Sequence, residues 1–471
     1  MRRIAIVGGG ITGLAAAHRL GELAAQADRP PPAVVVFEAA SRAGGIVSTA
    51  RTGGLVIEEG PDSFLTEKPE ALALLARLGL EGEVRGTRPE FRRSFVVRNG
   101  RPVPTPEGFY LLAPTRLGPM ITSPLFSPLG KLRMALEPLI PRREARGDDD
   151  ESLASFVTRR LGPETLERIA QAMVGGIYGA PPEELSLDAT FPRFLALERE
   201  HGSVIRGLKR SRRAGGASGA RYGLFATLDG GLQGLVDALV SRLPVGALRL
   251  GALVESAAPA PGGGWSVAAR GSAPERFDAV ILALPAAGAA RLAAGFDPAL
   301  AAALSAFTAG SSVTLSLAYP AGAIAHPLDG AGLVVPRAEA PALSGLIGVS
   351  FTHRKFEHRA PGGTALLRLF WGEDALALDD GELAARGHGA LSALLGAGRP
   401  PDAHHVARWP GGMPRYRVGH RTRVRAARAA ALQHPGLALA GNSYEGIGLP
   451  DCIREGEAAA RAIFEGLPEG N

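Results

Sequence analysis

The chain has 471 residues, a net charge of +6, 46% hydrophobic and 21% charged content, and a single cysteine, Cys452. That length supports two or three packed units, and one cysteine rules out an internal disulfide. No run of about 18 apolar residues occurs, and the basic residues (lysine only at 68, 131, 209 and 355) are not interleaved with aromatics, so neither a membrane span nor a nucleic-acid surface is expected.

Ile4–Val7 is a short apolar run of the kind buried in a parallel sheet, and it leads straight into glycines and a helix from Leu14. It is too short for a signal peptide. The spacing Gly8-x-Gly10-x-x-Gly13 makes a tight turn, lets backbone approach a pyrophosphate, and packs helix on strand. The helix start offers free N–H groups to the phosphates. Val34–Phe37 is a second strand ending in Glu38, which suits an adenosine ribose; Gln26–Pro32 lengthens the loop before it. A dinucleotide site follows. Arg42-Ala43-Gly44-Gly45 and Glu59-Gly60-Pro61-Asp62-Ser63-Phe64 then add a basic side chain and bare backbone that a long FAD uses and NAD does not need. With these blocks the sequence resembles the flavoprotein superfamily of amine oxidases, phytoene desaturases and protoporphyrinogen oxidases.

Further along, Glu70–Leu80 reads as a helix stopped by Gly79, and Ser94–Val103 as a hairpin turning at Asn99-Gly100. Pro104–Arg146 is rich in Pro, Leu, Met and Phe. Within it, Pro114–Pro141 reads equally well in two ways. One is a surface element in a membrane interface with Lys131, Arg133, Arg142 and Arg143 at headgroup level; the other is a Pro-broken helical subdomain with a buried apolar face. Gly147–Glu151 reads as an acidic linker, Ser152–Leu161 and Pro163–Val174 as helices, and Glu198–Tyr222 as a basic solvated loop. Gly230–Leu239 is a turn into a helix. Leu248–Ala258 reads as one strand region, Trp265–Ala269 as the strand returning after Gly262-Gly263-Gly264, and Ala279–Leu284 as a buried strand.

Strands are expected at Ser312–Tyr319, Gly332–Pro336, Leu343–Phe351 and Ala365–Trp371, followed by a helix over Glu382–Leu395. Leu437–Asn442 is a buried strand, Ser443–Leu449 a glycine-bearing turn, and Pro450 opens a last helix. The dipole of that helix suits the edge of a flavin that gains negative charge. Cys452 reads as a small buried hydrophobe. The histidines are scattered, His404-His405 marks a strand end, and no His/Cys cluster points to a metal.

The resemblance narrows on four blocks: Gly60–Phe64; Gly176-Ile177-Tyr178 with Glu184-Leu185-Ser186 and Phe191-Pro192; Trp409–Tyr416; and Gly441–Ile453. Together they resemble the oxygen-dependent protoporphyrinogen oxidase family over essentially the whole chain. Two positions depart from it. Tyr178-Gly179-Ala180-Pro181 stands where the family often has Tyr-Ala-Gly-Asp, and Pro450-Asp451-Cys452 where Asn-Asp-Cys is common.

The resemblance implies an α/β fold (α+β overall) in three parts. These are a Rossmann-like FAD-binding domain (1–88, 224–298 and 408–471), a mixed-sheet substrate domain (89–106 and 299–407), and an inserted helical, membrane-associating domain (107–223). It implies non-covalent FAD contacts at Gly8, Gly9, Gly10, Ile11, Thr12, Gly13, Glu38, Arg42, Gly45, Gly60, Pro61, Asp62, Ser63, Val254, Trp409, Asn442, Ile447, Gly448 and Leu449. A porphyrinogen pocket would then be lined by the Gly176 carbonyl, a stacking Phe370 and Val334, with Arg93 at a propionate. The implied reaction takes hydride to flavin N5 three times over, with molecular oxygen as acceptor and hydrogen peroxide as product; no side chain is singled out as catalytic.

The implied setting is the cytoplasmic face of the cell membrane, with a homodimer and hand-over to ferrochelatase among the partners the family allows. Three rivals stand beside this reading. A coproporphyrinogen III oxidase of the same fold differs only in the propionates it must hold. An amine oxidase or carotenoid desaturase would want a lysine near N5, and the late candidate, Lys355, reads as exposed in His353-Arg354-Lys355. The third rival is a non-catalytic flavin-bearing partner.

Overall fold

The computed structural model describes residues 2–110, 113–116, 118–143, 150–213 and 225–466. Its organising sheet is parallel and five-stranded, in the order Leu248–Arg249, Ala33–Phe37, Arg3–Val7, Ala279–Leu282, Leu437–Leu439. The opening strand is central and alternates its side chains between two covered faces, as a buried parallel strand must. Ile4 and Ile6 face the helices Ile11–Gln26 and Leu449–Gly466 through Ala16, Leu20, Ala460 and Ile463. Ala5 and Val7 face a second layer built on Trp265, Val267, Leu292 and Leu300. First and last helices of the chain therefore pack on each other over the same strand. The expected strand over Leu248–Ala258 is in fact two: Leu248–Arg249 joins the parallel sheet, and Val254–Pro259 joins a separate antiparallel sheet with Trp265–Ala269 and Glu275–Phe277. The chain leaves one sheet and enters the other through a tight turn at Gly251, φ 66°.

A seven-stranded mixed sheet forms the second unit, in the order Ala403–Arg415, Thr308–Pro320, Thr364–Trp371, Gly348–Ser350, Gly332–Val334, Ser94–Arg98, Arg101–Pro104. Pairing is antiparallel except between Gly332–Val334 and Ser94–Arg98. One face is apolar: Leu315, Leu317, Leu367 and Leu369 pack on Leu383 and Leu391 of helix Asp380–Leu395. The capping box Asp379–Glu382 starts that helix. The other face, with Thr314, Ser316, Arg368 and Phe370, is turned toward the parallel-sheet unit, where Thr314 and Arg368 bond the Glu59 carbonyl. The strand expected over Leu343–Phe351 is shorter than its apolar pattern suggests. Pro341–Leu343 is a 3₁₀ turn, and only Gly348–Ser350 pairs.

The third unit is helical: Gly118–Thr122, Pro128–Ala135, Leu153–Leu161, Gln171–Tyr178, Pro192–His201 and Val204–Arg213 surround a core that includes Phe126, Met134, Phe156, Ile169 and Phe194. Ser152 caps its helix by accepting from the Ser155 N–H, as its sequence position suggests. Part of the expected basic loop over Glu198–Tyr222 is instead the amphipathic helix Val204–Arg213, which buries Val204, Ile205 and Leu208; positions 214–222 lie outside the described residues, as do 147–149 of the acidic linker.

The segment from 118 to 141 combines features of both readings of its sequence. Met120, Leu125, Phe126 and Met134 are buried, while Ile121, Leu129, Leu132, Leu136 and Leu139 are exposed. Arg133 is not at the outer surface. Its guanidinium is turned inward onto the carbonyls of Thr158, Arg159 and Arg160, because those groups end the helix Leu153–Leu161 and need donors. Among the described residues, no helix is long and apolar enough to cross a membrane.

Arg160 and Glu137, both fully enclosed, tie this exposed segment to the helical core. Glu137 also accepts from the Ser203 hydroxyl and the Val204 N–H, and Arg160 donates to the carbonyls of Ile140 and Gly202. Removing Glu137 would leave the enclosed Arg160 with only Glu198, 3.4 Å away and already held by Arg159, as its carboxylate partner. Glu137→Ala is therefore expected to destabilise the unit by about 3–5 kcal/mol. A lowered urea midpoint in the full chain is the check, and an unchanged midpoint would contradict the account.

Candidate cofactor and substrate site

The glycine turn after the opening strand lies beside a second bare-backbone stretch. Gly44 N–H donates to Gly9 O (2.9 Å), and a Cβ built on Gly10 would have only the Cα of Gly45 near it, at 3.9 Å. A trough lined by backbone therefore runs between Gly10 and Gly45, closed at one end by the start of helix Ile11–Gln26, whose first N–H groups have no helical partner. Side chains at either glycine would fill it. That is the shape a pyrophosphate requires, so the residues present fit FAD. At the end of the second strand, the Glu38 carboxylate is held by the N–H groups of Gly9 and Ala40, both at 2.8 Å. Ala252 N–H bonds the Glu38 carbonyl (2.8 Å), which brings the buried Val254 to the same corner.

Arg42 curls back on its own loop, donating to the carbonyls of Gly45 (2.7 Å), Ala43 and Val47, with its guanidinium 5.8 Å from the Trp409 ring centre. Trp409 in turn donates its indole N–H to Glu59 O at 2.8 Å. Thus Arg42 and Trp409, 367 positions apart in sequence, frame one edge of the strap that carries Gly60–Ser63.

This strap, Glu58–Ser63, is stitched to the seven-stranded unit by charge. Glu58 lies 3.3 Å from Arg359, Glu59 2.8 Å from His405 Nε2, and Asp62 2.7 Å from Lys355 Nζ. Arg368 donates to the carbonyls of Glu59 (2.9 Å) and Gly60 (2.6 Å). Burial pushes the Asp62 carboxyl up, but the charges of Lys355 and Arg368 outweigh it and hold the group well below the usual range. For Glu58 the balance is reversed: burial outweighs Arg359 and raises it. Burial also raises Glu59, yet bonds from Ser48 and His405 bring its net position below the usual value.

Lys355 is not exposed, contrary to its charged sequence neighbourhood. It is 8% accessible and lies between Asp62, Ser63 and the Phe356 ring, because it ends the short helix Thr352–Lys355 that turns it inward.

The C-terminal turn carries the remaining candidate cofactor contacts, Asn442 and Ile447 to Leu449. The Tyr416 hydroxyl donates to Asn442 O and accepts from Gly446 N–H, both at 2.7 Å, so one buried phenol spans the base of the turn. Ile447 packs on the helical core, and Leu449 begins helix Leu449–Gly466, whose Asp451 pairs with Lys68 at 2.5 Å. Cys452 is buried, and enclosure pushes its thiol up to about 12. It behaves as the small hydrophobe its isolation suggests.

In the seven-stranded sheet, Phe370, Gly348, Val334 and Val96, of which Phe370 and Val334 are candidate substrate contacts, occupy one rung across four neighbouring strands. Their side chains share a face, so Phe370 and Val334 stand two strands apart, roughly 10 Å, with no side chain between them. Val334 and Tyr178 pack against the helical core that also receives Ile447. Gly176 lies in helix Gln171–Tyr178, and Tyr178 is 6.2 Å from the Tyr416 ring. Arg93 is placed apart from this wall: it is exposed, precedes strand Ser94–Arg98, and pairs with Asp329 at 2.8 Å. Arg368, Thr314, His405 and Tyr416 were not singled out from sequence. For Arg368 a signal existed, since it is a lone charge inside the apolar strand Thr364–Trp371.

Comparison with known proteins places the chain in a family. The family of flavin-containing amine oxidoreductases matches residues 11–464. A coproporphyrinogen III oxidase of Propionibacterium freudenreichii subsp. freudenreichii is 35% identical over 495 residues, covering 98% of this chain and 90% of that protein. A protoporphyrinogen oxidase of Macaca fascicularis is 32% identical over 498 residues, covering all of both. Among solved structures, a protein of Exiguobacterium sp. 255-15 described as a candidate protoporphyrinogen oxidase superposes with a TM-score of 0.86 at 28% identity, over 98% of this chain and 99% of that one.

A Cβ at Gly60 would lie 1.7 Å from Ile46 O, whereas at Gly82 it would meet nothing within 4 Å. Gly60→Ala should displace the strap and weaken FAD retention roughly ten- to hundredfold, with Gly82→Ala as the neutral control. Flavin absorbance after gel filtration reads both. Equal retention in the two variants would remove Gly60 from the cofactor site.

Proposed function

The chain belongs to the flavin-containing amine oxidoreductases, and from that premise we propose that it is an oxygen-using porphyrinogen oxidase of tetrapyrrole synthesis. The observation that carries the reading is the rung Phe370–Gly348–Val334 beside the strap. An apolar wall with an open centre suits a tetrapyrrole macrocycle that flattens as it is oxidised, and no side-chain nucleophile is needed alongside it. FAD, when bound, would supply the redox chemistry: in each of three rounds the substrate would lose a hydride to the flavin and a proton, with one dioxygen reduced to hydrogen peroxide.

The protein's own work is positioning and electrostatics. Phe370 and Val334 hold the ring's face, and the helix Gln171–Tyr178 closes over it from the helical unit. The start of helix Leu449–Gly466 places a positive dipole end beside Ile447 and Gly448, which favours added negative charge there. Coproporphyrinogen III is the substrate proposed first, because the more similar of the relatives above bears that name. Protoporphyrinogen IX, the substrate implied by the sequence resemblance, is the second reading.

The test is oxidation of each porphyrinogen in air by purified protein, followed by porphyrin fluorescence and peroxide. Faster turnover of coproporphyrinogen III is expected; a preference for protoporphyrinogen IX would reverse the order, and no flavin-dependent turnover of either would end the proposal.

We further propose that the exposed apolar segment rests on an anionic lipid surface. Ile121, Leu129, Leu132, Leu136 and Leu139 project outward, and the neighbouring helix Val204–Arg213 exposes Arg206, Lys209 and Arg210. Cosedimentation with phosphatidylglycerol vesicles is expected for the native chain and should be lost in Leu129→Glu/Leu139→Glu. Native protein that stays in the supernatant would refute this part alone.

A further inference from the structure

Three arginines are buried among the described residues: Arg160, Arg359 and Arg368. Arg160 is paired with Glu137 and Arg359 with Glu58. Arg368, 3% accessible, has no carboxylate in ion-pair contact among the described residues, and its enclosed Nε has no acceptor there. Its partners are carbonyl oxygens, those of Glu59 and Gly60, and the face of Phe370, whose ring centre is 5.0 Å from the guanidinium carbon.

An enclosed cation with no ion-pair partner is a poor choice for stability, because an apolar side chain of similar volume is generally as good or better. The Glu59 carbonyl does not depend on Arg368, since Trp409 and Thr314 donate to it as well. Stability alone therefore gives little reason for an arginine here. Its two contacts do. On one side it grips the strap that carries Gly60–Ser63, and on the other it backs the aromatic wall of the substrate rung. Among the described residues, no other buried cation joins the two.

We infer that Arg368 is a positioning residue that fixes the cofactor strap against the substrate wall and sets a positive field behind the flavin, easing its reduction. The inference rests on the reading of Gly60–Ser63 as part of the FAD site. Asp62 and Glu58 act on Arg368 through space, but each is in contact with a cation of its own, Lys355 and Arg359, so Arg368 is the cation of this cluster that adds a charge without a carboxylate in contact. A cation in a low-dielectric setting acts strongly on a neighbouring group whose charge becomes more negative on reduction. The guanidinium also couples wall and cofactor mechanically: moving Phe370 would move the group that holds Gly60 O.

The test uses the full chain with FAD bound and needs no porphyrinogen. Arg368→Met fills the space and removes the charge; Arg368→Lys keeps the charge and loses the fork onto two carbonyls. Flavin midpoint potential by dye equilibration, FAD affinity and thermal melting are measured for each. Arg368→Met is expected to melt at or above the native temperature yet show a lower midpoint potential, and to be reduced by a chemical hydride donor roughly ten- to hundredfold more slowly. Arg368→Lys should recover most of the potential.

A methionine variant with native potential and native reduction rate would overturn the inference. Should Arg368→Met fail to fold, Arg368→Gln retains a donor for the strap while dropping the charge and reads the same potential. Failure of the cofactor reading is seen separately, as native protein that binds no FAD.

Discussion

The structure depends on a set of charged and polar groups meeting at one seam. The strap Glu58–Ser63 leaves the parallel-sheet unit and is met by Arg359, His405, Lys355 and Arg368 of the other unit, each on a different atom. In a low-dielectric interior a charged group is costly unless it is paired or hydrogen-bonded: Lys355 and Arg359 meet carboxylates, and Arg368 meets carbonyl oxygens. The match fixes register as well as energy, because a slip of one residue along the strap would strand several charges at once. A large apolar interface alone would tolerate sliding. This one does not, and the glycine trough and the Phe370 wall inherit their relative positions from it.

The same physics anchors the helical unit. Glu137 sits in the segment that exposes five large apolar side chains, and its pairing with Arg160 supplies the holding force that those side chains, facing outward, do not. The segment thus holds on through the buried Glu137 together with Met120, Leu125, Phe126 and Met134, and still turns a second apolar face outward. Arg133 belongs to the anchor too, spent on the open carbonyls at the end of helix Leu153–Leu161.

Tyr416 plays a related part at the cofactor's other side. Its hydroxyl closes the Asn442–Gly446 turn, its ring stacks on His420 at 3.8 Å, and its carbonyl accepts the Ser186 N–H of the helical unit. A single buried residue thus connects the end of the long strand Ala403–Arg415, the C-terminal turn and the helical wall. Three units of unlike architecture converge on a few polar atoms, and between those atoms lie the glycines and aromatics of the site.

What the sequence by itself determined is whatever depends on neighbours in the chain. The strand–glycine–helix opening, Glu38 at the second strand's end, the Asn99-Gly100 turn, the Gly79 stop and the helix after Gly448 were all legible, because period, turn chemistry and capping act over a few residues. Lys355 was misread for the same reason: its sequence neighbours are charged, but its burial is decided by Asp62, 293 positions away. The division of Leu248–Ala258 between two sheets, the inward turn of Arg133 and the place of Arg368 likewise needed the tertiary structure. Local pattern records which residues prefer burial. Which charges meet there is decided only when distant segments close on one another.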